Sequence, residues 1–122
     1  MAVNVMIVDD LAFIKIVLRD ILEKAGFRVV GEASNGDEAI RVYLDKRPDV
    51  VLMDITMPGM DGLTALKKIR EHDPKARVII CSALGQQRLI VQAIQLGAKD
   101  FIVKPFQPQR IISALKKALD IV

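Results

Sequence analysis

One cysteine, Cys81, is the only thiol in the 122 residues. A single thiol makes neither an internal disulfide nor a cysteine-rich zinc cluster, and it suits a reducing compartment. Aromatic residues are scarce at 4%, with no Trp and one Tyr, which leaves no platform on which nucleic-acid bases could stack. A dense basic run and a recognition-helix signature are also missing. No apolar run approaches the ~20 residues of a membrane span. The start, Met1-Ala2-Val3-Asn4, lacks a basic leader, and Asp9-Asp10 cuts the first apolar run short. The expectation is a soluble, cytoplasmic monomer that engages neither membrane nor nucleic acid.

What is present is a core-forming composition, 52% hydrophobic and 27% charged, in a chain of one-domain length. The net charge of +3 is uneven: residues 1–73 hold 10 Lys/Arg and 13 Asp/Glu, whereas residues 74–122 hold 8 and 2. A basic second half reads either as a solvated face or as a docking face for an acidic protein partner.

Apolar patterning alternates between two periods along the chain. Val3–Val8 is a short strand, and from Leu11 a stripe through Ile14, Val17/Leu18, Ile21/Leu22 and Ala25 predicts an amphipathic helix ended by Gly26. Phe13 and Ile16 fall off that stripe. Residues 28–33 form a second strand, interrupted at Gly31. Ser34-Asn35-Gly36-Asp37 is turn chemistry, followed by a helix to about Lys46. Val50–Met53 reads as a strand buried on both faces, ending in Asp54. Leu63, Leu66 and Ile69 mark a third helix, and residues 77–82 a fourth strand. A fourth helix follows with Ile90, Ala93, Ile94 and Gly97 on one face, then a strand over 99–104. The last helix carries Ile111, Ile112, Leu115, Ala118 and Leu119. Five βα units with short connections predict an α/β, doubly wound (βα)5 flavodoxin-like three-layer sandwich with a parallel sheet ordered 2-1-3-4-5. Residues 1–122 are expected to be a single domain.

In that topology ligands bind outside the carboxyl ends of the strands. Strand 1 ends in Asp9-Asp10, strand 3 in Asp54, strand 4 in Ser82 and strand 5 in Lys104. Taken singly, a strand-end Asp is usually a helix cap, Lys104 a solvated lysine, Ser82 a cap, Cys81 a core residue and His72 a surface one. Together at one edge they define a site. Clustered carboxylates repel unless a cation intervenes; Lys104 balances one charge, and Mg²⁺ suits the rest. A carboxylate such as Asp54 can then attack phosphorus, with Lys104 and the metal answering charge on the phosphoryl oxygens and Ser82 hydrogen-bonding them.

The stretches Ile7-Val8-Asp9-Asp10, Met53-Asp54-Ile55-Thr56-Met57-Pro58-Gly59-Met60-Asp61-Gly62, Cys81-Ser82-Ala83 and Lys104-Pro105-Phe106 resemble those of bacterial response-regulator receiver domains, in order and at similar spacing. Receivers are themselves among the type examples of the 2-1-3-4-5 order, so resemblance and topology are not independent. The resemblance implies that Asp54 is the phosphoacceptor, supplied by the phosphohistidine of a histidine kinase. It implies that Asp10, Asp54 and the main-chain carbonyl of Thr56 bind Mg²⁺, with Asp9 acting through water, and that Lys104 pairs with the phosphate through a cis Lys104–Pro105 bond. Ser82 and Phe101 resemble the family's switch pair. Such a domain catalyses only its own phosphorylation and dephosphorylation. Among standalone receivers the chain is most similar to chemotaxis regulators that bind the flagellar motor switch, and no effector domain is expected. That implies a chemotaxis-type kinase, a motor switch protein and a phosphatase as partners. The expected output face is the fourth helix, fifth strand and fifth helix, with Arg88, Lys99, Phe101, Arg110 and Lys116. Thr56 and Leu84 replace polar or acidic residues of some relatives at positions flanking the phosphate, and Phe101 lacks the hydroxyl of the commoner tyrosine.

The competing readings each miss a part. An aspartyl-nucleophile phosphatase would want a carboxylate where Thr56 stands. In a flavodoxin-like electron carrier, Asp9-Asp10-Leu11-Ala12-Phe13 would repel the flavin phosphate, and a nucleotide-binding domain would need a glycine-rich first turn. Within the receiver class the alternative is a phosphorelay shuttle that hands its phosphoryl group to another histidine protein.

Overall fold

Residues 2–121 are described by a computed structural model. Five strands, β1 (Asn4–Val8), β2 (Arg28–Ala33), β3 (Val50–Asp54), β4 (Val78–Ser82) and β5 (Asp100–Val103), alternate with five helices: α1 (Ala12–Lys24), α2 (Gly36–Lys46), α3 (Gly62–His72), α4 (Gln87–Gln95) and α5 (Pro108–Ala118). The strands form one parallel sheet in the order β2-β1-β3-β4-β5, as the alternation predicts. Gly31 marks a bulge: β1 and β2 slip register between Val5 and Met6, and a Cβ on Gly31 would stand 2.7 Å from Val42 Cγ1.

Every residue of β3 and β4 is buried, which is why these strands read as continuous apolar runs rather than alternating ones. Their side chains feed two cores. Val51, Met53, Val78 and Ile80 pack with Ala39, Tyr43, Leu66 and Ile69 from α2 and α3. Val50, Leu52, Ile79, Cys81 and Ile102 pack with Leu18, Leu22, Ile111 and Leu115 from α1 and α5. Cys81 is therefore a core residue, its thiol pushed up to about 12 by burial, with the Asp54 charge adding to the shift. His72 is exposed.

Two of the predicted apolar stripes are corrected. Leu11 is the residue preceding α1, with 53% of its surface exposed, because the chain turns into the helix only after it; Leu18 and Leu22 carry the packing. On α4 only Ala93 is buried, while Val91 and Ile94 are 56% and 45% exposed. This helix touches the sheet through a narrow contact, and Ile90 and Ile94 line a cavity of about 620 Å³ shared with Phe101 and Val103. Phe13 and Ile16, off the α1 stripe, are exposed. The Lys104–Pro105 bond is cis. Among the described residues, no helix is long and apolar enough to cross a membrane.

Candidate functional site

The carboxyl ends of β1, β3, β4 and β5 converge because parallel strands present the same end to the same side. Asp54 closes β3 opposite Cys81 of β4. Past it the Ile55 N–H still bonds to the Cys81 carbonyl at 3.0 Å, so the ladder holds Asp54 rigidly. The loop that follows folds back at Gly62, whose N–H donates to the Ile55 carbonyl at 2.7 Å. A Cβ at Gly62 would run into the main-chain carbonyl of Asp54 and come within 2.8 Å of Ile55 Cα. Asp61 caps α3 by accepting from the Thr64 N–H at 2.8 Å.

Asp9, Asp10 and Asp54 each bring a carboxylate oxygen to within 4.8 Å of the others. Asp9 is 1% and Asp54 6% exposed, whereas Asp10 faces solvent. Asp9 is oriented by the Leu11 N–H, which donates to its Oδ1 at 2.9 Å. Lys104 Nζ stands 3.2 Å from Asp9 Oδ2 and 3.5 Å from Asp54 Oδ2. Burial raises the Asp54 carboxyl above its ordinary value and the Asp9 charge adds to this; Lys104 and the Thr56 amide pull the other way without cancelling it. At Lys104, burial disfavours the ammonium, but the charges of Asp54 and Asp9 outweigh it and hold the amine above its usual value. One ammonium among three carboxylates leaves two negative charges unanswered at neutral pH. An all-oxygen donor set with excess negative charge fits a hard divalent cation such as Mg²⁺.

Ser82 is fully buried at the end of β4, and its Oγ has no hydrogen-bond partner among the described residues. It caps no helix, since α4 begins only at Gln87. An orphaned buried hydroxyl costs about 1–3 kcal/mol, an arrangement that suits a partner arriving from outside. Alternation puts Ser82 and Phe101 on the same face of the sheet, with Phe101 paired to Ile80 and Val103 to Ser82. Phe101 is half-buried between the α4 cavity and a second space of about 200 Å³ beside Pro105 and Arg110.

Of the cations predicted for an output face, Arg88, Lys99 and Lys116 are exposed. Arg110 differs. Its guanidinium donates to both oxygens of Asp100 at 3.1 and 3.2 Å and to the Phe101 carbonyl at 2.5 Å, and it stacks 6.0 Å from the Phe101 ring. Its charge is answered within the chain.

Gln86 is the site residue that sequence reasoning missed. Its carboxamide donates to Thr56 Oγ1 at 2.8 Å and accepts from the Ala83 N–H at 2.7 Å. The one available signal was a glutamine standing where α4 would ordinarily take a Ser, Thr, Asp or Asn cap. The Thr56 side chain, exposed and two residues past Asp54, is thus engaged rather than free.

The family model described as "Response regulator receiver domain" matches residues 5–116. This chain belongs to the response regulator receiver domain family. Within that family it is 56% identical over 117 residues to the chemotaxis protein CheY of Thermotoga maritima, covering 96% of this chain and 98% of that one. Against the chemotaxis protein CheY of Bacillus subtilis it is 56% identical over 120 residues, covering 98% and 100%. A solved receiver, in the CheX–CheY–BeF₃–Mg²⁺ complex from Borrelia burgdorferi, superimposes with a TM-score of 0.89 at 41% identity, over 93% of this chain and 87% of that one. The chain is thus a chemotaxis-type receiver of two-component signalling, and its acidic cluster is the one on which receivers bind Mg²⁺.

Proposed function

We propose that residues 1–122 act as one phosphoacceptor domain, taking a phosphoryl group onto Asp54 from the phosphohistidine of a chemotaxis-type histidine kinase. The convergence of Asp9, Asp10, Asp54 and Lys104 at one end of the sheet carries this reading. An Oδ of ionised Asp54 attacks phosphorus as the P–N bond to the histidine breaks, and the bonding pair leaves with the imidazole, which takes up a proton. The product is an aspartyl phosphate. Asp9, Asp10, Asp54 and the Thr56 carbonyl would hold Mg²⁺, which when bound offsets negative charge on the phosphoryl oxygens. Lys104 answers a further part of that charge, being already drawn to Asp54 Oδ2 at 3.5 Å. The Ser82 hydroxyl, without a partner among the described residues, gains one in a phosphoryl oxygen. Its movement leaves space on the face it shares with Phe101, whose ring turns inward, so phosphorylation shifts the population of the α4–β5–α5 face.

The output proposed for that face is docking of the flagellar motor switch protein, for which the exposed cations Arg88, Lys99 and Lys116, together with the apolar cavity between α4 and β5, supply the chemistry an acidic amphipathic segment needs. A phosphatase acting at Asp54 is the third proposed partner, in keeping with the CheX–CheY complex of the Borrelia relative. Incubation with acetyl phosphate and Mg²⁺ should add the mass of one phosphoryl group, and the addition should be absent from Asp54→Asn and from samples without divalent cation. Undiminished labelling of Asp54→Asn would overturn the assignment.

A further inference from the structure

Gln86 stands at the junction of three things: the loop after β3, the loop after β4 and the start of α4. Its carboxamide is the one described side chain that hydrogen-bonds to both loops flanking Asp54, reaching Thr56 Oγ1 at 2.8 Å and the Ala83 N–H at 2.7 Å. The Ala83 amide can only donate, so the carboxamide oxygen faces it and the NH₂ faces the threonine hydroxyl. Gln86 is also the residue from which α4 departs, and it lines the apolar cavity under α4 together with Ile90 and Phe101.

The register decides what this means for the acceptor. Asp54 is paired with Cys81, and the donors that follow at the carboxyl end of β4 are the hydroxyl of Ser82, its last residue, and the Ala83 N–H just past it. The hydroxyl has no partner among the described residues. The amide is occupied by Gln86. A tetrahedral anion built on Asp54 offers three oxygens to these donors, and charged oxygens make stronger acceptors than a neutral carboxamide.

Resting on the assignment of Asp54 as phosphoacceptor, we infer that Gln86 is a positioning residue: a two-point latch that the phosphoryl group displaces from the Ala83 amide. One side chain makes both bonds, so losing the Ala83 contact also loosens the Thr56 contact. The β3 and β4 loops are then uncoupled in one event, and the displaced residue is the one that starts α4. The first turn of α4 and the cavity beside Phe101 are thereby linked to the acceptor by a path separate from the Ser82–Phe101 pair. Conversely, the latch competes with the anion and weakens its binding.

Beryllofluoride with Mg²⁺ is the probe, followed by ¹⁵N–¹H NMR on the full chain. In the free protein the Gln86 side-chain amide and the Ala83 N–H should both be slow to exchange with solvent. At saturation the Gln86 side-chain signals should move to free-carboxamide positions while Ala83 stays protected. Gln86→Ala should bind beryllofluoride about three- to fivefold more tightly, the scale of one partly exposed hydrogen bond, with Ala83 unprotected until the anion binds. Beryllofluoride binding that leaves the Gln86 side-chain signals in place, or an unchanged affinity in Gln86→Ala, would overturn the latch alone. No beryllofluoride shift at all in the wild type would remove the Asp54 assignment and the latch with it.

Discussion

At the scale of the residue, the site is a collection of groups whose present surroundings suit them badly. Asp54 is 6% exposed and its carboxyl is raised, with burial the largest cause and Asp9 adding to it. Because its folded value lies above the unfolded 3.8, ionising Asp54 costs stability, and the cost grows as pH rises through the folded value. At pH 7 without divalent cation, Asp54→Asn should therefore melt a few degrees above wild type. Added Mg²⁺ should raise the wild-type Tm and raise that of the variant less. A reversed order in calorimetry would contradict this. Ser82 gives the complementary case: its buried hydroxyl bonds to nothing among the described residues, so Ser82→Ala removes an uncompensated desolvation cost and should raise the unphosphorylated stability by about 1 kcal/mol in urea titration. Asp9, Asp10, Asp54 and Lys104 were legible in sequence because charges at the ends of apolar strands have no packing reason to be there. Gln86 was not, since a surface glutamine's partners depend on how two loops approach each other.

At the scale of the element, the loop from β3 to α3 is shaped by contact rather than by turn preference alone. Gly62 lies against the Asp54 carbonyl with no room for a methyl group. Gly62→Ala should destabilise by about 2 kcal/mol, as overpacking does, and slow phosphoryl uptake by displacing the end of β3; guanidinium titration and acetyl phosphate labelling measure the two effects. The β5–α5 junction is fastened differently. Burial pushes the Asp100 carboxyl up, but the Arg110 guanidinium and the Phe101 amide outweigh it and hold it below the ordinary 3.8. The folded value being the lower one, this stabilisation is complete above the unfolded value and is lost as pH falls through the folded value. Asp100→Asn should accordingly be less stable than wild type at pH 7, and the gap should close progressively below pH 3.8 in pH-dependent melts. The elements themselves were legible from period and turn residues. The looseness of α4 was not, because Ile90 and Ile94 have the spacing of a packed stripe whether they fill a core or border a cavity.

At the scale of the whole molecule, the chain is electrically divided. Residues 74–122 carry 8 Lys/Arg and 2 Asp/Glu, and one of those two acids, Asp100, is taken up by Arg110. Arg88, Lys99 and Lys116 are left exposed. If the α4–β5–α5 face docks an acidic segment, reversing Lys99 and Lys116 together should weaken binding by about 1–2 kcal/mol and flatten its salt dependence. Phosphorylation or beryllofluoride should tighten binding of the unsubstituted protein to an acidic motor-switch peptide. Equal affinities before and after loading, read by fluorescence anisotropy, would favour a phosphorelay shuttle. The split in charge was countable in the sequence, but its division into answered and unanswered cations required the contacts of Arg110.

The strand order carries one last implication, for anyone who would recombine receivers. Phe101 and Lys104 lie three residues apart on and just beyond β5, a span of about 10 Å. One belongs to the proposed display and the other pairs with Asp54, the proposed acceptor. The two duties share a single rigid segment and cannot be exchanged as separate modules. A chimera that imports the α4–β5–α5 surface of another receiver also imports that receiver's lysine, and so its fit to Asp9 and Asp54. Chimeras joined before β4 keep their matched lysine, serine and aromatic together; those joined between Phe101 and Lys104 inherit a reader and a chemistry that were never fitted to each other.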